Sequence, residues 1–128
     1  SQIQLFTYAN TWTKVDKINV DTQILSQEVT ELHADICSAL ADPRRILMLY
    51  AMAETTLNVS DLANQVGISQ PAASRHLKVL RERGLVRAVR NGASVEYRLT
   101  DDRLIQALDL LRGVLRDRIN YRASLVSE

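Results

Sequence analysis

Two short predicted helices joined by a glycine constrain the fold of this chain more than any other feature. Ser60 is placed to cap a helix over residues 61–66, and Gly67 follows where a left-handed residue ends a helix at least cost. Ser69 then caps a second helix, which ends at Gly84. Three apolar residues of the second helix share one face: Ala73, Leu77 and Leu80. The spacing predicts two helices that cross closely at a sharp turn.

The residues after the second helix alternate with a period of two, which predicts a β-hairpin. Asn91-Gly92 is the strongest short signal for a two-residue turn with both central residues at positive φ. That turn fixes the register, which pairs Val86 with Tyr97, Ala88 with Val95 and Arg87 with Glu96. The predicted hairpin has one apolar face and one charged face.

Longer helices are predicted on both sides of this segment. Apolar residues recur at helical spacing over residues 21–40, and Asp42-Pro43 begins a largely buried helix that ends near Glu54. Asp101-Asp102 opens a last helix, which is expected to end at about Arg122. We therefore divide the chain into an N-terminal arm at 1–20, one folded domain at 21–122 and a C-terminal tail at 123–128.

Composition supports one mainly helical, soluble domain. The chain has 128 residues, of which 46% are hydrophobic, and only four glycines and two prolines. The single Cys37 excludes an intrachain disulfide framework. Because no apolar run approaches the roughly 18–20 residues that cross a bilayer, we expect a cytoplasmic protein without a membrane partner. Phe6, Tyr8 and Trp12 predict that the N-terminal arm docks on a surface, or closes a small-molecule pocket.

Positive charge is concentrated in the segment that carries the two short helices and the hairpin. The formal net charge of the chain is +1, yet residues 69–98 hold seven basic residues against two acidic ones. The basic residues are Arg75, Lys78, Arg81, Arg83, Arg87, Arg90 and Arg98. This distribution predicts a surface for a polyanion, with a solvated helix face as the alternative.

Three motifs resemble the ArsR/SmtB family of winged helix-turn-helix repressors. They are ALADPRRIL at residues 39–47, VGISQPAASRHLKVL at residues 66–80, and GLV at 84–86 followed by YRL at 97–99. The resemblance covers about residues 33–115 and keeps the family's order and spacing. It implies a mainly α fold with a small hairpin wing, a homodimer built from the first and last helices, and repression at an inverted-repeat operator in double-stranded DNA.

The resemblance and the chemistry of the helix together predict the site residues. Polar side chains near the start of such a helix reach base edges, whereas its cations and the wing reach phosphates. The predicted DNA-binding residues are Ser69, Gln70, Ala72, Ser74, Arg75, His76, Lys78, Arg81, Arg87, Arg90, Asn91 and Gly92. The predicted dimer-interface residues are Leu25, Val29, Leu32, Ile36, Leu104, Leu108, Leu111 and Leu115. Arg45 is expected to support the fold or to contact a phosphate.

The signal that such a repressor would sense is left open. Many family members bind metals through cysteines at positions that correspond here to Asn58 and Ser60, and others use Asp and His pairs on a last helix that lacks His here. We therefore expect no metal and no cofactor. His33 and Cys37 are the remaining candidates for a metal- or redox-responsive site. The alternative interpretation is that the Cys37 thiol packs in the core and that His33 is a surface histidine. The inducer is a small molecule at the dimer interface, an oxidant of Cys37, or absent.

Two other classes of protein are less consistent with this sequence. An enzyme is not expected, because the chain has only two histidines, no phosphate-binding loop and no spacing that favours a catalytic triad. A winged helix that binds a protein partner is a second alternative. The concentration of basic residues on the predicted recognition helix and wing favours DNA over a protein partner.

Overall fold

The computed structural model describes residues 21–126. The chain consists of two compact units, and the boundary between them lies after Cys37. The N-terminal arm, with Phe6, Tyr8 and Trp12, lies outside the described residues. Between residues 21 and 126, no helix is both long and apolar enough to cross a membrane.

The described part of the first unit, residues 21–37, forms one continuous helix whose last six residues are wound more widely than an α-helix. Helix α1 spans Thr22–Glu31 and continues as a π-helical segment over Leu32–Cys37. Asp21 caps α1 by accepting a hydrogen bond from the Gln23 amide at 3.1 Å. Within this unit no residue of either segment is buried. The predicted core packing of the Cys37 thiol is therefore wrong, because the residue is exposed.

The second unit holds four further helices. Helix α2 spans Pro43–Glu54, α3 spans Val59–Val66, α4 spans Gln70–Glu82 and α5 spans Arg103–Val126. The last helix runs four residues past the end expected at Arg122. The helix boundaries predicted at Asp42-Pro43, Gly67 and Gly84 are confirmed.

The predicted N-cap of α2 is confirmed, whereas that of α3 is wrong. Asp42 caps α2, as predicted, and its carboxylate accepts from the Arg44 amide at 2.9 Å. The predicted Ser60 cap of α3 is wrong: Asn58 accepts from the Asp61 amide at 2.8 Å, and the helix already begins at Val59. Asn and Ser cap equally well, so the strand that precedes α3 decides which of them takes the position.

A three-stranded antiparallel sheet completes the unit. Strands β1 (Leu57–Asn58), β2 (Val86–Asn91) and β3 (Ser94–Leu99) lie in the order β1-β3-β2. The predicted hairpin is present, but its register is wrong by two residues, because Val86 pairs with Leu99. The turn is therefore centred on Gly92-Ala93, and only Gly92 has a positive φ, at 65°. A shift of two leaves each side chain on its predicted face.

The core of the second unit lies where α2, α3, α4 and the sheet meet. Its largest fully buried side chains are Met48, Leu49, Leu62, Leu77 and Leu80. The predicted burial of α2 holds only for one face, because Leu47 is 54% exposed. Full burial of each of these side chains stabilises the fold by about 1.5–3 kcal/mol. The buried faces of α3 and α4 are thereby fixed, and so are the opposite faces, which are turned to solvent.

Candidate nucleic-acid interface

A glycine turn sets the angle between α3 and α4. Gly67 has φ 78° and ψ 35°, a left-handed conformation that costs glycine little. The amides of Gly67 and Ile68 both donate to the Ala63 carbonyl, at 2.8 Å and 3.0 Å, which closes the end of α3. Ala63 is buried at this junction, so the two helices approach over a small side chain. The predicted turn chemistry is confirmed.

The buried stripe of α4 determines which of its residues face solvent. Ser69 caps the helix, and its hydroxyl accepts from the Ala72 amide at 3.2 Å. Ala73, Leu77 and Leu80 are buried, as predicted. Of the predicted DNA-binding residues in this region, all but Ala72 and His76 are exposed: Ser69, Gln70, Ser74, Arg75, Lys78 and Arg81.

The end of α4 connects the helix rigidly to the wing. Gly84 has φ 77° and donates its amide to the Arg81 carbonyl at 3.0 Å, while the Leu85 amide donates to the Leu80 carbonyl at 2.9 Å. These two bonds form a Schellman motif, and the buried Leu80 and Leu85 supply the apolar residues that usually contact each other in it. Since β2 begins at Val86, the orientation of α4 also sets that of the hairpin.

The wing carries three exposed arginines, Arg87, Arg90 and Arg98. The expected pairing of Arg87 with Glu96 is wrong, because Arg87 lies opposite Arg98. Glu96 instead accepts hydrogen bonds from Thr56 at 2.5 Å and from the Asn91 amide group at 3.3 Å. The side chain of the predicted tip residue Asn91 is therefore bonded to Glu96 of β3, while Gly92 is exposed at the turn.

Five exposed cations among the predicted DNA-binding residues of α4 and the wing have no acidic partner within the described part of the chain. They are Arg75, Lys78, Arg81, Arg87 and Arg90. Within residues 21–126, none of the five forms an ion pair. Elsewhere in the same unit cations do have such partners, as Arg103 has Asp101 at 2.7 Å. Their side chains are thus free to bind a polyanion.

His76 is placed differently from the prediction. Its side chain is only 12% exposed, and Nε2 lies 3.9 Å from Asp42 Oδ2. Arg45 Nη1 lies 3.4 Å from Nδ1 on the other side of the ring. The ring turns inward because position 76 is three residues after Ala73 and four before Leu80, on the flank of the buried stripe. That spacing was the signal in the sequence for this inward position.

Arg45 supports the fold, one of its two predicted roles. Its Nε donates to the Ala39 carbonyl at 2.6 Å and its Nη2 to the Ser38 carbonyl at 3.2 Å. The neighbouring Arg44 donates two side-chain hydrogen bonds to Asp42, at 3.1 Å and 2.9 Å. This interaction with Arg44 holds the pKa of the Asp42 carboxyl well below its usual range. Asp42 is therefore ionised beside His76.

The predicted dimer-interface residues are mostly uncovered in the single chain. In the first unit Leu25, Val29 and Leu32 are 44–50% exposed, and Ile36 is half-buried. On α5, Leu111 and Leu115 are 62% and 53% exposed, whereas Leu104 is half-buried. Leu108 is 5% exposed and packs within its own chain, which makes it a core residue. The remaining residues leave apolar surface on each helix that its own unit does not cover.

A polar cluster attaches α5 to α2 and was not predicted from the sequence. The Tyr50 hydroxyl donates to Asp109 at 2.6 Å, and the Arg112 guanidinium lies 5.2 Å from the centre of the Tyr50 ring. Burial, followed by the bond to Asp109, raises the pKa of Tyr50. No periodicity links residues 59 positions apart, so only the tertiary structure brings them together.

At the positions that correspond to metal ligands in the family, this chain has residues that cap a helix, face solvent or hydrogen-bond to other side chains. Asn58 uses its side-chain oxygen to cap α3, and Ser60 is exposed. On α5, Asp109 is bonded to Tyr50 and Arg112. His33 and Cys37 are both exposed. Among residues 21–126, no three His, Cys, Asp or Glu side chains are grouped in a way that could hold a metal ion.

A glycine-linked helix pair followed by a hairpin with unpaired cations defines a winged helix-turn-helix protein. Residues 42–88 match the family described as bacterial regulatory protein, arsR family. The nodulation protein NolR of Rhizobium meliloti is 34% identical over 90 residues, which cover 70% of this chain and 74% of that protein. The transcriptional regulator NmtR of Mycobacterium tuberculosis is 39% identical over 90 residues, 70% of this chain and 71% of that protein.

A solved structure shows the same fold. The transcriptional repressor BigR from Xylella fastidiosa is 30% identical, with a TM-score of 0.64 over 74% of this chain and 96% of that chain. This chain therefore belongs to the ArsR family, and the predicted resemblance and fold class are confirmed. It is a DNA-binding transcriptional regulator by family, and neither the family nor the fold is one of enzymes.

Proposed function

We propose that this protein is a repressor that binds an inverted-repeat operator as a homodimer, with α4 in the major groove and the hairpin beside it. The observation that carries the proposal is that five predicted DNA-binding cations on α4 and the wing are exposed and form no ion pair within residues 21–126. A folded protein gains nothing from unpaired like charges in one region, since they repel one another. A duplex neutralises them and releases its counterions.

The exposed face of α4 supports sequence-specific rather than merely electrostatic binding. Gln70, Ser74 and Arg75 are exposed in the first half of the helix, where a recognition helix meets base edges. Arg is suited to guanine and Gln to adenine, because each makes two parallel hydrogen bonds to its base. Lys78 and Arg81 follow on the same exposed face and suit phosphates.

Exposed apolar side chains support the homodimer. Eight large apolar residues of α5 beyond Leu108 are more than half exposed, and Leu111, Val114, Leu115 and Ile119 are among them. On α1 and the segment after it, Ile24, Leu25, Val29 and Leu32 are 44–50% exposed. Helices with such faces are covered by a partner in stable soluble proteins. A second copy supplies the same two faces, and its two-fold axis presents two recognition helices to two half-sites about one helical turn apart.

The regulator is further proposed to lack the family's metal ligands. Asn58 and Ser60 offer no thiolate, and the Asn58 oxygen is already a helix cap. Because a soft metal requires thiolate or imidazole ligands, these residues do not fit one. The exposure of His33 and Cys37, four residues apart, favours a second candidate signal, a thiol oxidant or metal that acts at this pair.

Fluorescence anisotropy tests the proposal. The purified protein is titrated into a duplex from upstream of its own gene and into a scrambled duplex of equal length, at several salt concentrations. We expect tighter binding to the first duplex, two subunits per site, and a steep loss of affinity with salt. Equal binding to both duplexes, or affinity that salt does not change, contradicts the proposal and favours a protein-binding winged helix. Repeating the titration with Cys37 alkylated tests the second candidate.

A further inference from the structure

One side chain contacts both the segment after Cys37 and the recognition helix α4. Arg45, in the first turn of α2, donates to the carbonyls of Ser38 and Ala39 and lies 3.4 Å from His76 Nδ1. A guanidinium has donors and no acceptor. His76 must therefore accept this hydrogen bond at Nδ1, which makes the ring neutral with its proton on Nε2. The neutral ring is thus the form that this contact requires.

The surroundings of His76 disfavour a second proton. The charged groups that act on the ring are Asp42, Arg44 and Arg45 from the start of α2, and Arg75 from α4 itself. Only Asp42 is acidic, and it lies 3.9 Å from Nε2, beyond a good hydrogen bond, with its oxygens already bonded to Arg44. A proton on Nδ1 would point at the Arg45 guanidinium and break the existing bond. Protonation therefore replaces an attractive contact with a repulsive one.

We propose that Arg45 and His76 are positioning residues that hold α4 in its DNA-binding orientation, and that protonation of His76 releases this contact and weakens operator binding. This inference rests on the proposed function. It assigns no base or phosphate contact to His76, which acts through the position of the exposed residues on either side of it. Ser74 and Arg75 directly precede His76 in the same helix, so a change in the position of His76 moves them as well.

The sign of the pH dependence distinguishes positioning from contact with DNA. Burial is the main cause that lowers the pKa of His76 below its ordinary 6.5, so the ring is neutral at neutral pH. If the neutral form positions α4, binding weakens as the pH falls through that lowered pKa. A histidine that contacts a phosphate behaves oppositely, because the phosphate favours the charged ring and acid strengthens binding. Each pKa unit between free and bound protein changes affinity about tenfold per protomer.

The experiment compares operator affinity between about pH 5.5 and pH 8, the range in which histidine titrates, for wild type, His76→Asn and His33→Asn. Asparagine places its Oδ1 where His76 has Nδ1, so it accepts from Arg45 but does not titrate. His33→Asn is the matched control, because His33 is the other histidine of the chain and is exposed. We expect His76→Asn to lose the acid weakening, so that its affinity changes much less with pH, while the pH profile of His33→Asn follows wild type.

Two results overturn the inference while leaving the proposed function intact. One is an identical pH profile for wild type and His76→Asn, and the other is stronger wild-type binding in acid that His76→Asn abolishes. If no variant prefers the operator at neutral pH, both proposals fail together.

A second measurement covers the case in which His76→Asn does not fold. The His76 ring is titrated by NMR in the wild type, without and with the operator duplex. A lower pKa in the complex supports positioning, and a higher one refutes it. Arg45→Lys keeps the charge but cannot reach three acceptors at once, so it should weaken binding at neutral pH and flatten the profile.

Discussion

Lys78 provides the most direct quantitative test of the proposed interface. It is exposed on α4, has no acidic partner among residues 21–126, and lies one residue past the buried Leu77. A homodimer presents two copies, so Lys78→Gln removes two phosphate contacts. The dependence of log K on log salt has a slope of about −0.9 per neutralised phosphate, so the slope should become shallower by about 1.8. Between about 50 mM and 200 mM salt, the wild type should then lose about tenfold more affinity than the variant.

Anisotropy titrations at four or more salt concentrations measure this slope. Lys78→Gln should weaken operator and scrambled duplexes alike, since a phosphate contact carries no sequence information. Arg116→Gln is the matched control, because Arg116 is an exposed cation on α5, outside the recognition helix and the wing. An unchanged slope for Lys78→Gln, or the same change for Arg116→Gln, refutes the assignment of the interface to α4.

Four further predictions test base reading, the end of α4, the interior of α5 and the dimer. Arg75→Ala should cost about 1–3 kcal/mol of discrimination between operator and scrambled duplexes, and an equal loss on both contradicts base reading. In urea unfolding at fixed protein concentration, Gly84→Ala should destabilise the protein by about 1 kcal/mol because φ is positive there. Gly113→Ala, inside α5 with open space at the new Cβ, should instead stabilise it by about 0.5–1 kcal/mol. Leu111→Lys should shift sedimentation towards monomer, whereas an unchanged dimer argues against α5 as the interface.

Local rules determined the elements of the site. Gly67 ends α3, Ser69 caps α4, and the apolar spacing buries Ala73, Leu77 and Leu80, all as predicted. These features depend on residues within about one helical turn of each other, where capping and periodicity operate. The same rules were insufficient where two good caps competed, as Asn58 and Ser60 did at the start of α3.

The register of the hairpin is the feature that local rules predicted wrongly. Asn91-Gly92 favours a turn with both central residues at positive φ, yet the strands pair two residues further along and the turn moves to Gly92-Ala93. Both registers put the same side chains on the same face, so the sequence pattern alone could not separate them. In the observed register Val86 and Leu99 pair and are both buried, and β1 adds to β3 with Leu57 opposite Tyr97.

The sequence by itself determined the class of fold and the charged surface, because composition, caps and periodicity are local properties that identify helices and their exposed faces. The tertiary structure alone decided the contacts between distant segments. Arg45 meets His76 across 31 positions and Tyr50 meets Asp109 across 59. Such pairs follow from how the helices cross, which is fixed by burial of the whole core rather than by any single segment. That is why the contact between Arg45 and His76 depends on the packing of α2 against α4, although the spacing along α4 already indicates that His76 turns inward.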